Sequence, residues 1–300
     1  MDFPIDVSVT AVIGKISPAA PAPERLAVQL QNPVQDKLAD YVLTNATTPG
    51  LAVVAQGGVS DKTLALCGAG PSLAKYPIEG VDHIWACNSA LGYLLQQGVP
   101  VTAAVGIDQT PGLLREWEDA PDVLYYLASS CDPALVAYLR DRGRRIQFFH
   151  NAVGLADTPD EEVAFYRATF PETVMTGGGF TVVTRATILA CWMGYERVDL
   201  YGADSAFGPD DQAHANGEIA TDAYRNPLIM TGVINGRTYR TRPDMLIGAV
   251  DLARRVRNSV GRVRLIGDTL PVQLLGKSED FLNSVARQVA PDELTTLTGG

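Results

Sequence analysis

The chain has 300 residues, with 24 Lys and Arg against 34 Asp and Glu, a net charge of −10 and 46% hydrophobic residues. That length fits one large α/β domain or two small ones, able to bury about three quarters of the unfolded surface. The acidic balance argues against direct nucleic-acid binding by phosphate neutralisation, which needs a basic face.

Residues 1–60 read as an N-terminal extension. It has β-like runs from Val7 to Ile16, a Pro/Ala segment from Pro18 to Pro23 and a helical stretch from Glu24 to Leu43. The first residues lack the basic region and apolar core of a signal peptide, and no apolar run approaches the roughly 18 residues of a membrane span. A soluble, cytoplasmic protein with no membrane partner is expected, and the sequence carries no signature of an oligomeric state.

From Thr63, short apolar runs alternate with helical stretches, the pattern of βαβ units around a parallel sheet. Strands are predicted at Thr63–Cys67, His83–Cys87, Val101–Ile107, Val123–Ala128, Ile146–Phe149, Arg197–Tyr201 and Val263–Ile266. Helices are predicted at Ser89–Gln97, Leu113–Glu118, Pro133–Arg142, Thr181–Met193 and Met245–Ser259. The fold class is therefore α/β, a Rossmann-like, doubly wound, mostly parallel sheet over residues 61–275, with 207–243 as a lid and 276–300 as a polar, frayed tail. Within the lid, Asn235-Gly236 between β-like residues signals a hairpin.

Ligands of such sheets bind beyond the carboxyl ends of the strands, which makes strand-end residues candidates. After the first strand comes Gly68-Ala-Gly70-Pro-Ser72, where glycines permit positive φ or close backbone approach, and Ser72 is placed to cap a following helix. Leu73 stands where a dinucleotide fingerprint has its third glycine, neutral Asn88 lies about where its acid falls, and no Walker Lys-Ser/Thr follows, so NAD and P-loop chemistry lose support. Gly177-Gly178-Gly179 opens a helix and makes a second place where backbone N–H groups converge on an anion.

Asp108 and Asp204 each end an apolar strand, positions suited to holding Mg²⁺ beside phosphates, to acting as a base, or to capping a turn. His214 sits in a polar loop soon after Asp204 and suits acid–base work; Ser129, Ser130, His150 and Asn151 end other strands. The four cysteines, Cys67, Cys87, Cys131 and Cys191, include no CxxC pair, and the three histidines show no ligand spacing, so small core hydrophobes are expected and a structural zinc is not.

Three blocks carry a resemblance: Cys67 to Leu73; Ile84 to Asn88 and on through Leu94 and Gly98-Val-Pro to Asp108; and Gly177–Gly179 with Arg185-Ala186, Gly194-Tyr195 and Leu200 to Ser205, up to His214-Ala215; a fourth, weaker one is Gly236 to Tyr239 and on to Met245, then Gly267 to Leu270. Together they resemble the MptE-like family, named for archaeal 6-hydroxymethylpterin diphosphokinase, and in particular its phage-encoded branch. The resemblance implies a transferase that moves a diphosphate or glycosyl group from a nucleotide donor, ATP or a nucleotide sugar, to a hydroxyl on a small molecule, a glycan or a hydroxymethylated base. Mg²⁺ is implied for the diphosphokinase version, and the host cytoplasm for a phage protein. Similar features occur in bacterial sialyltransferases that bind a CMP-sugar. By that analogy Gly70, Ser72, Asn88 and Gly177–Gly179 hold the nucleotide, and His214 is the general base. A non-catalytic nucleotide-binding protein is the alternative.

Overall fold

The computed structural model describes residues 8–10, 35–54, 57, 60–109, 117, 120–153, 159–170, 175–176, 179, 181–218 and 229–289. Twelve strands are described in chain order: β1 Ser8–Thr10, β2 Ala52–Val53, β3 Thr63–Cys67, β4 His83–Cys87, β5 Ala103–Gly106, β6 Leu124–Ala128, β7 Arg145–Asn151, β8 Met175–Thr176, β9 Arg197–Tyr201, β10 Ile229–Ile234, β11 Arg237–Thr241 and β12 Val263–Leu265. The helices are α1 Leu38–Ala46, α2 Ala90–Gln96, α3 Pro133–Asp141, α4 Pro159–Thr169, α5 Val182–Trp192, α6 Pro243–Asn258, α7 Leu270–Leu274 and α8 Glu279–Val289.

Among the described residues, nine strands form one parallel sheet in the order β12-β9-β3-β4-β5-β6-β7-β2, with β8 beside β7. The fully apolar runs explain this: Leu64, Ala65, Leu66 and Cys67 of β3 are all 0% exposed, the pattern of strands covered on both faces. Burying each leucine contributes about 1.5–3 kcal/mol. The chain runs outward from β3 to β7 and then returns to lay β9 against the other side of β3. Strand order therefore reverses between β3 and β9, the position where open α/β sheets place ligands.

Local signals fix the helix starts. Asp132 caps α3 by accepting from the Ala134 amide at 2.8 Å, with Pro133 at the first helical position. Thr181 caps α5, its Oγ1 accepting from the Thr184 amide. The predicted helix at 113–118 falls almost wholly outside the described residues.

A second, antiparallel sheet, β1-β10-β11, packs on α6, α7 and α8 around Met230, Ile234, Tyr239, Leu246 and Leu274. Its turn, Asn235-Gly236, has φ of +52° and +77°, the hairpin geometry that this dipeptide favours. Within the β-like run expected from Val7 to Ile16, Ser8–Thr10 pairs with Ile229–Thr231 as a strand of this sheet. One expectation changes here. The segment read as a frayed tail is helical through α8, because Leu282 and Val285 are buried on one face of an otherwise polar helix. The four thiols are free, and burial holds those of Cys67, Cys87 and Cys131 well above the usual cysteine range. Among the described residues no helix is long and apolar enough to cross a membrane.

Candidate functional site

All strands of the large sheet are parallel, so their carboxyl ends lie along one edge. At the reversal point, two glycine turns interlock. The Gly68 amide donates to Tyr201 O at 2.8 Å and the Gly70 amide to Gly202 O at 3.0 Å. A Cβ on Gly70 would stand 2.2 Å from Asp204 Oδ2, and one on Gly202 would stand 2.1 Å from Gly68 O. Gly70 has φ −63°, so it is glycine for close approach to β9's turn and not for positive φ; Gly202 needs both, at φ +60°.

Ser72 does not cap an α-helix. Pro71–Ala74 is a single 3₁₀ turn with Gly70 at its N-cap, too short to carry a macrodipole. Instead Ser72 donates both its amide (3.1 Å) and its hydroxyl (2.8 Å) to Asp204 Oδ2. Burial raises the Asp204 pKa above the ordinary aspartate value, and the two Ser72 bonds work against that rise.

The His214 loop is stitched to the same place. Ala215 donates its amide to Ala69 O at 2.9 Å, and Gly208 packs on Pro71. His214 Nδ1 lies 3.1 Å from Glu218 Oε2 on a partly exposed imidazole. A carboxylate only accepts, so in that contact Nδ1 is the donor.

Asn88, at the end of β4, adopts φ +47°, a left-handed conformation that Asn tolerates better than most residues. Its Oδ1 is buried with no hydrogen-bond partner among the described residues, and a buried acceptor left unmade costs about 1–3 kcal/mol.

Asp108 follows β5, and its carbonyl accepts from the Asp132 amide at 3.3 Å. β3 and β4 lie between β5 and β9, so the strands that Asp108 and Asp204 follow are about 14 Å apart at about 4.8 Å per strand. Among the described residues no three His, Cys, Asp or Glu side chains form a group that could hold a metal ion.

Further along the edge is a buried polar cluster. His150 is 0% exposed, its Nδ1 lies 2.7 Å from Ser129 Oγ, and its Nε2 has no partner among the described residues. Its ring stacks on Phe170 at 4.5 Å, and burial pulls its pKa down to about 4, so it is neutral. Ser130 Oγ donates to Asn151 Oδ1 at 2.9 Å, and Tyr166 OH to Asn151 O at 3.2 Å.

Beside that cluster α5 begins. Gly179, at φ +102°, precedes it; Gly177 and Gly178 lie outside the described residues. Thr181 takes the Thr184 amide and the Arg185 amide, while no described residue accepts from Val182 or Val183. The arginines of the β10–β11 hairpin and its exit are paired with acids: Arg237 with Asp268, Arg240 with Asp211, and Arg242 with Asp244.

The sequence profile described as 6-hydroxymethylpterin diphosphokinase MptE-like matches residues 42–210, more than half of the chain. The chain belongs to the MptE-like family. No curated protein matches it. Among solved structures it is similar to the MAf glycosyltransferase of Magnetospirillum magneticum AMB-1, with TM-score 0.55 and 14% identity over 84% of this chain and 41% of that one. It thus spans less than half of that protein's length, and at this identity the likeness is one of fold. Weaker likenesses include a mammalian sialyltransferase in complex with Gal-beta-1-3GalNAc-ortho-nitrophenol, with TM-score 0.36, 15% identity, 82% of this chain and 90% of that one. Another is the Campylobacter jejuni sialyltransferase CstII in complex with cytidine-5'-monophosphate, with TM-score 0.35, 14% identity, 70% of this chain and 81% of that one. The matched segment of the MptE-like profile ends at residue 210, so it takes in β3, β4, β9 and the start of α5 but stops short of His214.

Sequence reasoning missed Arg185 and Glu162 as parts of this edge. The signal was present: Arg185 is the one charged residue in the apolar helix Val182–Trp192.

Proposed function

We propose that this MptE-like protein is a nucleotide-dependent transferase that moves a glycosyl group from a nucleotide sugar to a hydroxyl acceptor. The observation that carries the reading is Asn88, a strained strand-end residue whose buried Oδ1 lacks a donor, two strands from Asp204 on the ligand-binding edge. Asn88 accepts an N–H or O–H of the donor nucleoside, and the start of α5, with Gly179 before it, takes its phosphate. Gly68, Gly70 and Ser72 shape the wall, and Asp204 holds that wall through Ser72. Asp108 faces the acceptor end of the edge.

His214 removes the acceptor's proton at Nε2, with Glu218 steadying the imidazolium that forms. The acceptor oxygen bonds to the anomeric carbon as the bond from that carbon to the nucleotide's phosphate oxygen breaks. The lid hairpin, tied to the β9 loop through Phe207 N to Arg240 O at 2.8 Å and Thr241 Oγ1 to Ser205 O at 2.6 Å, closes over the donor. Diphosphoryl transfer from ATP is the second reading. It rests on neutralising the phosphates, a task for Mg²⁺ held by Asp108 or Asp204, which follow strands with two others between them.

Nucleotide release from CMP-sugars, UDP-sugars and ATP, with and without Mg²⁺, tests this. One sugar nucleotide should release its nucleotide, and His214→Gln should lower that rate by about 10²-fold or more with donor affinity unchanged. AMP release from ATP that needs Mg²⁺ would establish the diphosphokinase reading instead. Nucleotide binding without turnover would establish the non-catalytic one.

A further inference from the structure

The transferase site proposed above occupies the carboxyl edge of the large sheet. The opposite, amino edge holds a cavity of about 790 Å³, lined wholly by described residues and of the size of ligand pockets. It lies at the amino ends of four neighbouring strands: His83 begins β4, Thr102 precedes β5, Asp122 lies just before β6 and Arg145 begins β7. A five-residue strand separates the two edges by roughly 16 Å.

The sequence makes this hollow by setting a small residue among large ones. In the register of the sheet, Ala103 of β5 stands between Trp85 of β4 and Leu124 of β6, and Tyr126 follows Leu124 on the same face. The Trp85 and Tyr126 rings meet at 4.8 Å, and the Tyr195 ring meets that of Trp85 edge-on at 5.4 Å. His83 Nδ1 lies 2.7 Å from Tyr195 OH, which fixes both rings at the rim. A methyl at position 103 leaves room between them.

Two donors on the lining have bonding capacity to spare. Tyr126 is 6% exposed, yet no described residue hydrogen-bonds its hydroxyl, and a buried polar group without a partner is the exception in a folded chain. Burial pushes its pKa up to about 12 against the opposing charge of Arg145, so it is an O–H donor at neutral pH. Arg145 uses one N–H on Asp122 O at 2.6 Å. A guanidinium has five such donors, and that bond steadies the fork at the rim.

Aromatic walls, a buried O–H donor and a steadied planar cation together match a flat ring that carries an anion. One cation and one neutral donor, with the Asp122 carboxylate on the same exposed rim, suit a single negative charge better than the two of a phosphate. We propose that the amino-edge cavity binds an aromatic carboxylate, its ring against Trp85, Tyr126 and Tyr195 and its carboxylate accepting from Tyr126 OH and the Arg145 guanidinium. The site is separate from the donor site and does not depend on that reading.

Calorimetric titration of the full chain with indole-3-carboxylate, beside indole-3-carboxamide and inorganic phosphate, tests this. The acid should bind saturably and about tenfold or more tightly than the amide, and phosphate should not displace it. Tyr126→Phe removes only the unpartnered oxygen, so it should melt where the wild type does and bind the acid about tenfold more weakly, with amide binding unchanged. Arg145→Gln should weaken the acid by as much or more, and Asp122→Asn should leave it equal or tighter. Should Arg145→Gln melt lower, Tyr126→Phe decides. No binding by the wild type, equal binding of acid and amide, or acid binding that Tyr126→Phe leaves intact would overturn the proposal. Displacement of the acid by phosphate or by a nucleotide would overturn it as well, the first by making the site a general anion site and the second by placing the acid on the carboxyl edge.

Discussion

The two ends of the carboxyl edge are built differently. At the β3–β9 junction, backbone meets backbone: the Gly68, Gly70 and Ser72 amides are used inside the molecule, by Tyr201, Gly202 and Asp204. From Asn88 to the start of α5 the edge holds the buried Asn88 Oδ1 and His150 Nε2, neither with a partner among the described residues, and the partly buried Arg185 guanidinium. The amides of the glycine-rich turn that looks most like a ligand cradle are taken up inside the chain.

The largest expected effect belongs to the packed end. Gly202→Ala places a Cβ 2.1 Å from Gly68 O at φ +60° and should destabilise by about 3 kcal/mol or more, through overpacking and left-handed strain together. Gly217→Ala, at φ +83° in open space, should cost only about 1 kcal/mol. Equal shifts in melting temperature for the two variants would remove the distinction between close approach and backbone freedom.

Asn88→Gly tests the other end. Glycine keeps φ +47° without strain and removes the unsatisfied oxygen, so stability should hold while nucleotide binding weakens by about 1–3 kcal/mol, the cost of losing a buried partner. A stability loss with binding intact would reverse the assignment of the two ends.

His150 gives a pH signature. Its folded pKa of about 4 lies below the ordinary 6.5, so between these values the unfolded chain binds the extra proton. Stability present above pH 6.5 is therefore lost as pH falls toward 4, by at most about 1.4 kcal/mol per pH unit. Chemical denaturation across that range should show the slope, and His150→Phe should flatten it. The smallest effect is that of Ser72→Ala, about 1 kcal/mol for one lost hydroxyl bond to Asp204.

Much of this was legible in the sequence because apolar runs dictate a parallel sheet. β3, β4 and β9 begin and end where the Thr63–Cys67, His83–Cys87 and Arg197–Tyr201 runs do. Thr181 before an apolar helix and Asn235-Gly236 between β-like residues also gave their structures directly. α8 was read as tail because only one face of it is apolar, and Leu282 and Val285 need α6 to bury them. The site was less legible for a related reason. GxG spacing looks the same whether a ligand or a second backbone comes close, and only the return of β9 beside β3 shows which. The separation of Asp108 from Asp204 is likewise a matter of strand order, which residue spacing does not carry.

The claim that the Asn88-to-α5 edge holds a nucleotide is tested most directly by thermal shift of the full chain with CMP, CMP-sugars, UDP-sugars and ATP, each with and without Mg²⁺, beside Asn88→Gly. A saturable rise in melting temperature with one nucleotide class in the wild type, reduced in Asn88→Gly, is the predicted result. No rise with any nucleotide, or an equal rise in Asn88→Gly, would contradict the account.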